Sequence, residues 1–193
     1  MNYCSECGQK VVIEIPQGDN RPRHICQSCN TIHYSNPKIV AGCLPVWRDQ
    51  VLLCRRAIEP RHGLWTLPAG FMENDETTME AAIRETVEEA GADVDISNLY
   101  TMISLAHINQ VYMMFMADLK NTDYAPGEES LEVSLFSESE IPWDDIAFPV
   151  IAETLKLFFA DRQQGRFKTH IGEMILVDKT RREFDSRYIP QAD

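Results

Sequence analysis

The sequence predicts a mixed α+β domain preceded by a small cysteine-rich module, and three features carry that expectation. Four of the six cysteines fall in two Cys-x2-Cys pairs within the first 29 residues. After them come short apolar runs separated by polar turns, the pattern of strands. Only two later segments have the period of a helix with a buried stripe. A mixture of strands with few helices is the α+β pattern, and 193 residues suffice for one full domain and a small accessory one.

The module comes first. Cys4-x2-Cys7 and Cys26-x2-Cys29 are spaced as in a zinc ribbon. Each pair aims two thiolates at one point, and two pairs complete a tetrahedron around Zn²⁺. Four thiolates leave no open position for water, so this zinc is read as structural. Gly8 follows the first pair, where a tight turn favours a residue without a Cβ. His24 and His33 are nearby alternative ligands, and the expected ligand set is Cys4, Cys7, Cys26 and Cys29. Asn36-Pro37 punctuates the chain, so a ribbon is expected over 1–36, a main domain over 37–165 and an extension over 166–193, its tip mobile from about Tyr188.

In the main domain, residues 39–47 and 51–54 read as a hairpin around Arg48-Asp49-Gln50. Residues 64–67, 100–106, 111–117 and 131–136 read as further strands. Cys43 and Cys54 lie in apolar runs and are expected in the core. The first helix shows Met79, Ala82, Ile83, Thr86, Val87 and Ala90 at the spacing of a buried stripe. Thr77 and Glu80 form a capping box, and Gly91 stops the helix. In the second helix Pro149 fits the first turn, with Val150, Ile151, Leu155, Phe158 and Phe159 as the apolar face. After Gly165 the periodicity is lost.

Charge narrows the function. Eighteen Lys and Arg against thirty Asp and Glu give a net charge of −12, a field that repels phosphate polymers and argues against broad nucleic-acid binding. A small polyanion would need metal cations or a local arginine cluster. The first residues are neither a signal nor a transit peptide, and no run is long and apolar enough to span a membrane, so a soluble cytoplasmic protein is expected.

The chemistry concentrates in Gly70-x5-Glu76-x7-Arg84-Glu85-x2-Glu88-Glu89-x-Gly91. Glu85, Glu88 and Glu89 crowd one face of the first helix at i, i+3 and i+4, where like charges are destabilising. A divalent cation reverses that sign, and hard oxygen donors at this density suit Mg²⁺ or Mn²⁺. All seven fixed positions match the box of the Nudix hydrolases, which this stretch resembles. Thr86 and Ala92 replace the bulky aliphatic residues usual at two packing positions.

The resemblance implies an α/β/α Nudix fold, a mixed sheet between helices, and hydrolysis of nucleoside diphosphates linked to another moiety. It implies Glu85, Glu88 and Glu89 as ligands of Mg²⁺ (or Mn²⁺), with the Gly70 carbonyl as a further donor and Arg84 holding a glutamate. Glu76 would brace the loop before the helix. The proton of the attacking water would go to Glu88 or to a glutamate outside the box, Glu132 ahead of Glu129.

Wider stretches, His33-Tyr34-x-Asn36-Pro37-Lys38, residues 63–70 and residues 125–132, resemble the plant chloroplast FAD and ADP-ribose pyrophosphatases and their bacterial relatives. That likeness implies FAD or ADP-ribose as the small-molecule nucleotide substrate, and a homodimer, since related pyrophosphatases often share substrate contacts across one. Arg55, Arg56 and Arg61 form the basic cluster expected at the phosphates. Trp65, Phe71 and Tyr112 are candidates for stacking on a base or flavin. Two rival readings remain: an NADH or RNA-cap pyrophosphohydrolase, whose downstream motif is not found after Gly91, and a non-catalytic nucleotide sensor.

Overall fold

A computed structural model describes residues 1–178, 180 and 183–190. The chain divides into two compact units, Met1–Pro37 and Lys38–Asp193. The first is a three-stranded antiparallel sheet of β1 (Val11–Glu14), β2 (Arg23–Cys26) and β3 (Ile32–His33). Its two cysteine turns are built alike. Gly8 N donates to Cys4 O at 3.0 Å and Asn30 N to Cys26 O at 2.8 Å. Gly8 (φ 72°) and Asn30 (φ 63°) each turn left-handed just after the second cysteine of their pair.

The second unit is a nine-stranded mixed sheet. Its main path runs β10 (Ser130–Phe136), β5 (Gln50–Arg56), β4 (Lys38–Trp47), β9 (Gln110–Leu119), β8 (Val94–Leu105), β11 (His170–Asp178) and β12 (Glu183–Tyr188). Short strands β6 (Trp65–Thr66) and β7 (Ala69–Phe71) pair with β5 and β4. The expected hairpin is present, but β4 and β5 pair only at Val46↔Val51 and Trp47↔Gln50. From there β4 departs to run parallel to β9, and β7 pairs with it through Gly42↔Ala69, Ala41↔Gly70 and Val40↔Phe71.

Alternation along β4 separates two cores. Val40 and Leu44 face a core with Tyr100, Ile151, Leu155 and Phe158, the side of α2 (Pro149–Gln164). Ala41 and Cys43 face the other with Leu52, Cys54, Ala81 and Ala82, the side of α1 (Thr78–Ala90). The sheet thus lies between two helices, as expected for an α/β/α architecture. Both cysteines of the domain are buried.

The structure adds detail to two expectations. Within the expected extension, β11 pairs parallel with β8 and antiparallel with β12. Their weak pattern reflects an edge hairpin, whose β12 is covered at alternate residues only. Of the tip expected from about Tyr188, residues 191–193 lie outside the described residues. The stripe expected on α1 is also divided. Ala82, Thr86 and Ala90 are buried, with Ala81 and Glu89 beside them, but Met79, Ile83 and Val87 are exposed. Small side chains allow the helix to lie close to the sheet, and the larger ones are left outside that contact. Among the described residues no helix is long and apolar enough to cross a membrane.

Candidate metal and pyrophosphate site

The site is built on α1, whose ends are fixed locally. At Thr77 both hydrogen bonds of the capping box are formed, with Glu80 N donating to the hydroxyl at 3.2 Å and Thr77 N to the Glu80 carboxylate at 2.7 Å. Gly91, at φ 57°, closes the helix, its N–H reaching Val87 O. Between these caps the helix presents Glu85 and Glu89 toward β7, while Glu88 is exposed beside Arg84.

Arg84 organises them. Its Nε and Nη2 form a bidentate pair with Glu76 at 3.0 and 2.8 Å, and Nη2 also donates to Phe71 O at 3.2 Å. Its Nη1 reaches Glu85 at 2.7 Å and Glu88 at 3.1 Å. One guanidinium therefore ties the loop before the helix to two of the three glutamates. Those hydrogen bonds hold the Glu76 carboxyl down at about 2, helped by the Glu73 N–H.

Glu85 and Glu89 also meet backbone. A Cβ added to Gly70 would overlap the Glu85 carboxylate, so this glutamate lies directly against the Gly70 backbone. Glu89 is only 6% exposed and accepts from Ala69 N at 3.2 Å. Burial pushes its carboxyl up to about 8, the charges of Glu85 and Glu129 adding to that, and the Ala69 N–H and Arg56 opposing it. Burial also raises Glu85, with Arg84 opposing. A buried carboxylate with no ion pair among the described residues is costly unless a cation joins it. The donor set here, carboxylates beside the Gly70 backbone, fits a hard divalent ion such as Mg²⁺.

A second chain segment closes on the helix. Ala125 N donates to Ala90 O at 2.9 Å and Gly127 N to Glu89 O at 3.1 Å. Two residues on, Glu129 bears on the charges of both Glu85 and Glu89. Glu132, the first-choice loop residue from sequence, instead pairs with Arg55 at 3.7 Å, its cross-strand partner. A register shift between Ser130 and Glu132 separates the two glutamates.

The remaining candidates divide in the same way. Arg55 is exposed and donates from Nε to Gly63 O at 2.9 Å. Arg56 is buried, donates to Pro60 O at 3.0 Å and lies over the Phe148 ring, 5.2 Å from its centroid. Of the three aromatic candidates, Phe71 presents a ring 47% exposed, with Lys38 Nζ 4.5 Å from its centroid. Tyr112 is buried in the α2-side core, and Trp65 packs edge-on against Phe136 at 4.9 Å. Tyr112 thus completes the core, while Trp65 is half-buried against it. Sequence reasoning missed Lys38, whose placement over Phe71 depends on the pairing of β4 with β7.

In the N-terminal unit the sulfurs of Cys4, Cys7, Cys26 and Cys29 all lie within 4.8 Å of one another. Cys4 and Cys29 are 3.6 Å apart and Cys7 and Cys26 3.4 Å, near the ~3.8 Å edge of a tetrahedron with ~2.3 Å Zn–S bonds. Among the described residues this is the one such group of His, Cys, Asp or Glu. His33 is not a fifth candidate but a neighbour, its Nε2 3.3 Å from the Cys4 sulfur. A hydrogen bond there would orient the thiolate and moderate its charge.

Comparison with known proteins agrees with this geometry. The model of the Nudix N-terminal zinc ribbon matches residues 2–35, and that of the NUDIX domain matches residues 36–158. The fold and site are those of a Nudix domain preceded by a zinc ribbon. The chain belongs to the Nudix family.

A Nudix hydrolase from Nitrosomonas europaea is 56% identical, with a TM-score of 0.87 over 90% of this chain and 98% of that one. A protein of Photobacterium profundum named NAD-capped RNA hydrolase NudC is 30% identical over 83% of this chain and 60% of its own length. The chain spans 60% and 50% of the length of two of the curated relatives it matches. An ADP-ribose pyrophosphatase of Streptococcus suis, 22% identical with a TM-score of 0.56 over 70% of this chain and 99% of that one, shares the fold.

Proposed function

We infer that this chain hydrolyses the pyrophosphate of an ADP-linked small molecule: FAD to FMN and AMP, ADP-ribose to AMP and ribose 5-phosphate, or both. The observation carrying the reading is the buried Glu89 beside Glu85 and Gly70, a set of oxygen donors organised by Arg84. A bound Mg²⁺ or Mn²⁺ neutralises pyrophosphate oxygens and lowers the pKa of water.

The chain's own residues do the rest. Glu85, Glu88 and Glu89 would hold the metal with the Gly70 carbonyl, and Arg84 keeps Glu85 and Glu88 in place. Water attacks one phosphorus, the bridging P–O bond breaks, and the water proton passes to a carboxylate. Glu88, exposed and held at 3.1 Å by Arg84, and Glu129, adjacent in charge to Glu85 and Glu89, are the two acceptors the geometry favours. Arg56 and Lys38 supply positive charge for phosphate, and Phe71 a stacking surface.

A second reading has its own support. The curated relatives named NAD-capped RNA hydrolases also match across most of this chain, so an NADH-like or capped-RNA substrate fits as well. The net charge of −12 does not weigh against it, because a cap is itself a dinucleotide and needs only the local site.

Purified protein with Mg²⁺ is offered FAD, ADP-ribose, NADH and an NAD-capped RNA oligonucleotide, with products separated by chromatography. Release of AMP or its RNA-linked equivalent ranks the substrates. If all four stay intact, and Glu89→Gln changes nothing, the hydrolase assignment fails and a nucleotide sensor takes its place.

A further inference from the structure

The segment before Glu129 approaches α1 more closely than a side chain allows. A Cβ added to Gly127 would overlap the carbonyl oxygen of Glu88 and clash with its carbonyl carbon. The obstacle is helix backbone, which cannot swing aside as a flexible side chain could. This glycine is therefore required by proximity and not by a left-handed φ.

The same close approach fixes Glu129 from both sides. Toward α1, Ala125 N and Gly127 N bond the carbonyls of Ala90 and Glu89, at 2.9 and 3.1 Å. Toward the sheet, Ala57 N donates to the Glu129 carbonyl at 2.8 Å, just beyond the end of β5. Between them Ser130 N returns to Gly127 O at 3.1 Å, closing a tight turn around residues 127–130. The helix carbonyls used are those of Glu89 and Ala90, within the last turn of α1, where backbone acceptors have no helical partner. The clamp thus uses the free carbonyls of the helix that carries the metal glutamates.

We propose that Gly127 is a positioning residue: its bare Cα seats the 125–130 turn on the carbonyl end of α1 and thereby fixes Glu129, two residues on, at the end of the helix that carries the metal glutamates. Glu129 completes the acidic site from outside the helix, and any side chain at 127 lifts it away. This rests on the hydrolase reading above and deepens it by assigning how the loop carboxylate reaches the site.

The experiment compares wild type, Gly127→Ala, Glu129→Gln and the double variant, using the best substrate from the four-substrate assay. Measured are kcat, KM, the Mg²⁺ concentration for half-activation, and thermal unfolding. Gly127→Ala is expected to fold, to lose about 10- to 100-fold in kcat, and to need about 10-fold more Mg²⁺. Its KM should stay within about twofold. The double variant should be no worse than Glu129→Gln alone, because one residue acts through the other.

Losses that multiply in the double variant would overturn the proposal, as would a Glu129→Gln protein with unchanged kcat and Mg²⁺ requirement. A Gly127→Ala chain that does not fold would make the glycine structural and equally sink the positioning role. A wild type inactive on every substrate would instead refute the hydrolase reading itself, a distinguishable failure.

Discussion

The two faces of the sheet are held by opposite means. On the α2 side large side chains meet: Tyr100, Phe158, Leu155 and Ile151 are fully or almost fully buried, and Phe158 packs edge-on to Phe159 at 5.2 Å. On the α1 side the helix contributes Ala81, Ala82, Thr86, Ala90 and one carboxylate, Glu89. There the contact is close but thin, and positions are set by caps, backbone carbonyls and Arg84. Apolar burial stabilises in proportion to area, so the α2 face carries stability and the α1 face is left to carry charge. Glu89 is buried there with a backbone hydrogen bond from Ala69 N and no ion pair among the described residues.

The largest test of this division is Phe158→Ala. Emptying a ring from the α2 core should cost about 3–5 kcal/mol, read as a lower urea midpoint with unchanged slope. The kcat per folded molecule should stay at the wild-type value. A loss of kcat in the folded fraction would show that the two faces are coupled and break the comparison.

On the α1 face the order of effects reverses. Glu89→Gln should lower kcat by more than about 100-fold, the upper range for groups that only support a ligand. Stability in the absence of metal should be unchanged or higher, since a buried group prone to charge is removed. Chemical denaturation of the metal-free variant beside wild type checks the sign. A clear destabilisation would mean that Glu89 contributes to the fold as much as to the site.

A polar network on the α2 side sets the next prediction. The buried Asp161 carboxylate accepts from Tyr100 Oη at 3.1 Å and lies 2.8 Å from His170 Nε2, with Lys168 N at 3.4 Å. It joins α2 to β8 and to the start of β11. Asp161→Ala leaves the tyrosine and histidine without their partner and should cost about 1–3 kcal/mol. Amide exchange should quicken first in β11 and β12. Uniform quickening through the whole domain would instead make the network a core element.

These elements differ in how far the sequence announces them. The helix of Arg84, Glu85, Glu88 and Glu89, with its Thr77 cap and Gly91 stop, is a local pattern with a chemical cost, so residue spacing reveals it. The four cysteines are equally local, two by two. By contrast, Tyr100, Asp161 and His170 meet only because α2 and β11 flank β8, and no window of sequence contains them. The same limit applies to the loop acids: Glu129 and Glu132 look alike until a bulge and the Arg55 partner separate them. Aromatic residues mislead for a related reason, since Tyr112 and Phe71 differ in exposure through strand position and not composition.

The smallest predicted effect tests the sequence pattern most sharply. Met79, Ile83 and Val87 share the helical spacing of the buried residues, so periodicity alone assigns them to the core. If they were core residues, Met79→Ala or Ile83→Ala would cost about 2–5 kcal/mol. They are 51%, 38% and 49% exposed, because Ala81, Ala82 and Thr86 take the sheet-facing side. Each alanine variant should therefore lie within about 0.5 kcal/mol of wild type in urea unfolding. Alanine's better helix propensity offsets part of the lost contact, most of all at the β-branched Ile83 and Val87. A cost above about 2 kcal/mol at any of the three would mean that this stripe is covered in solution, and that α1 is held by apolar burial after all.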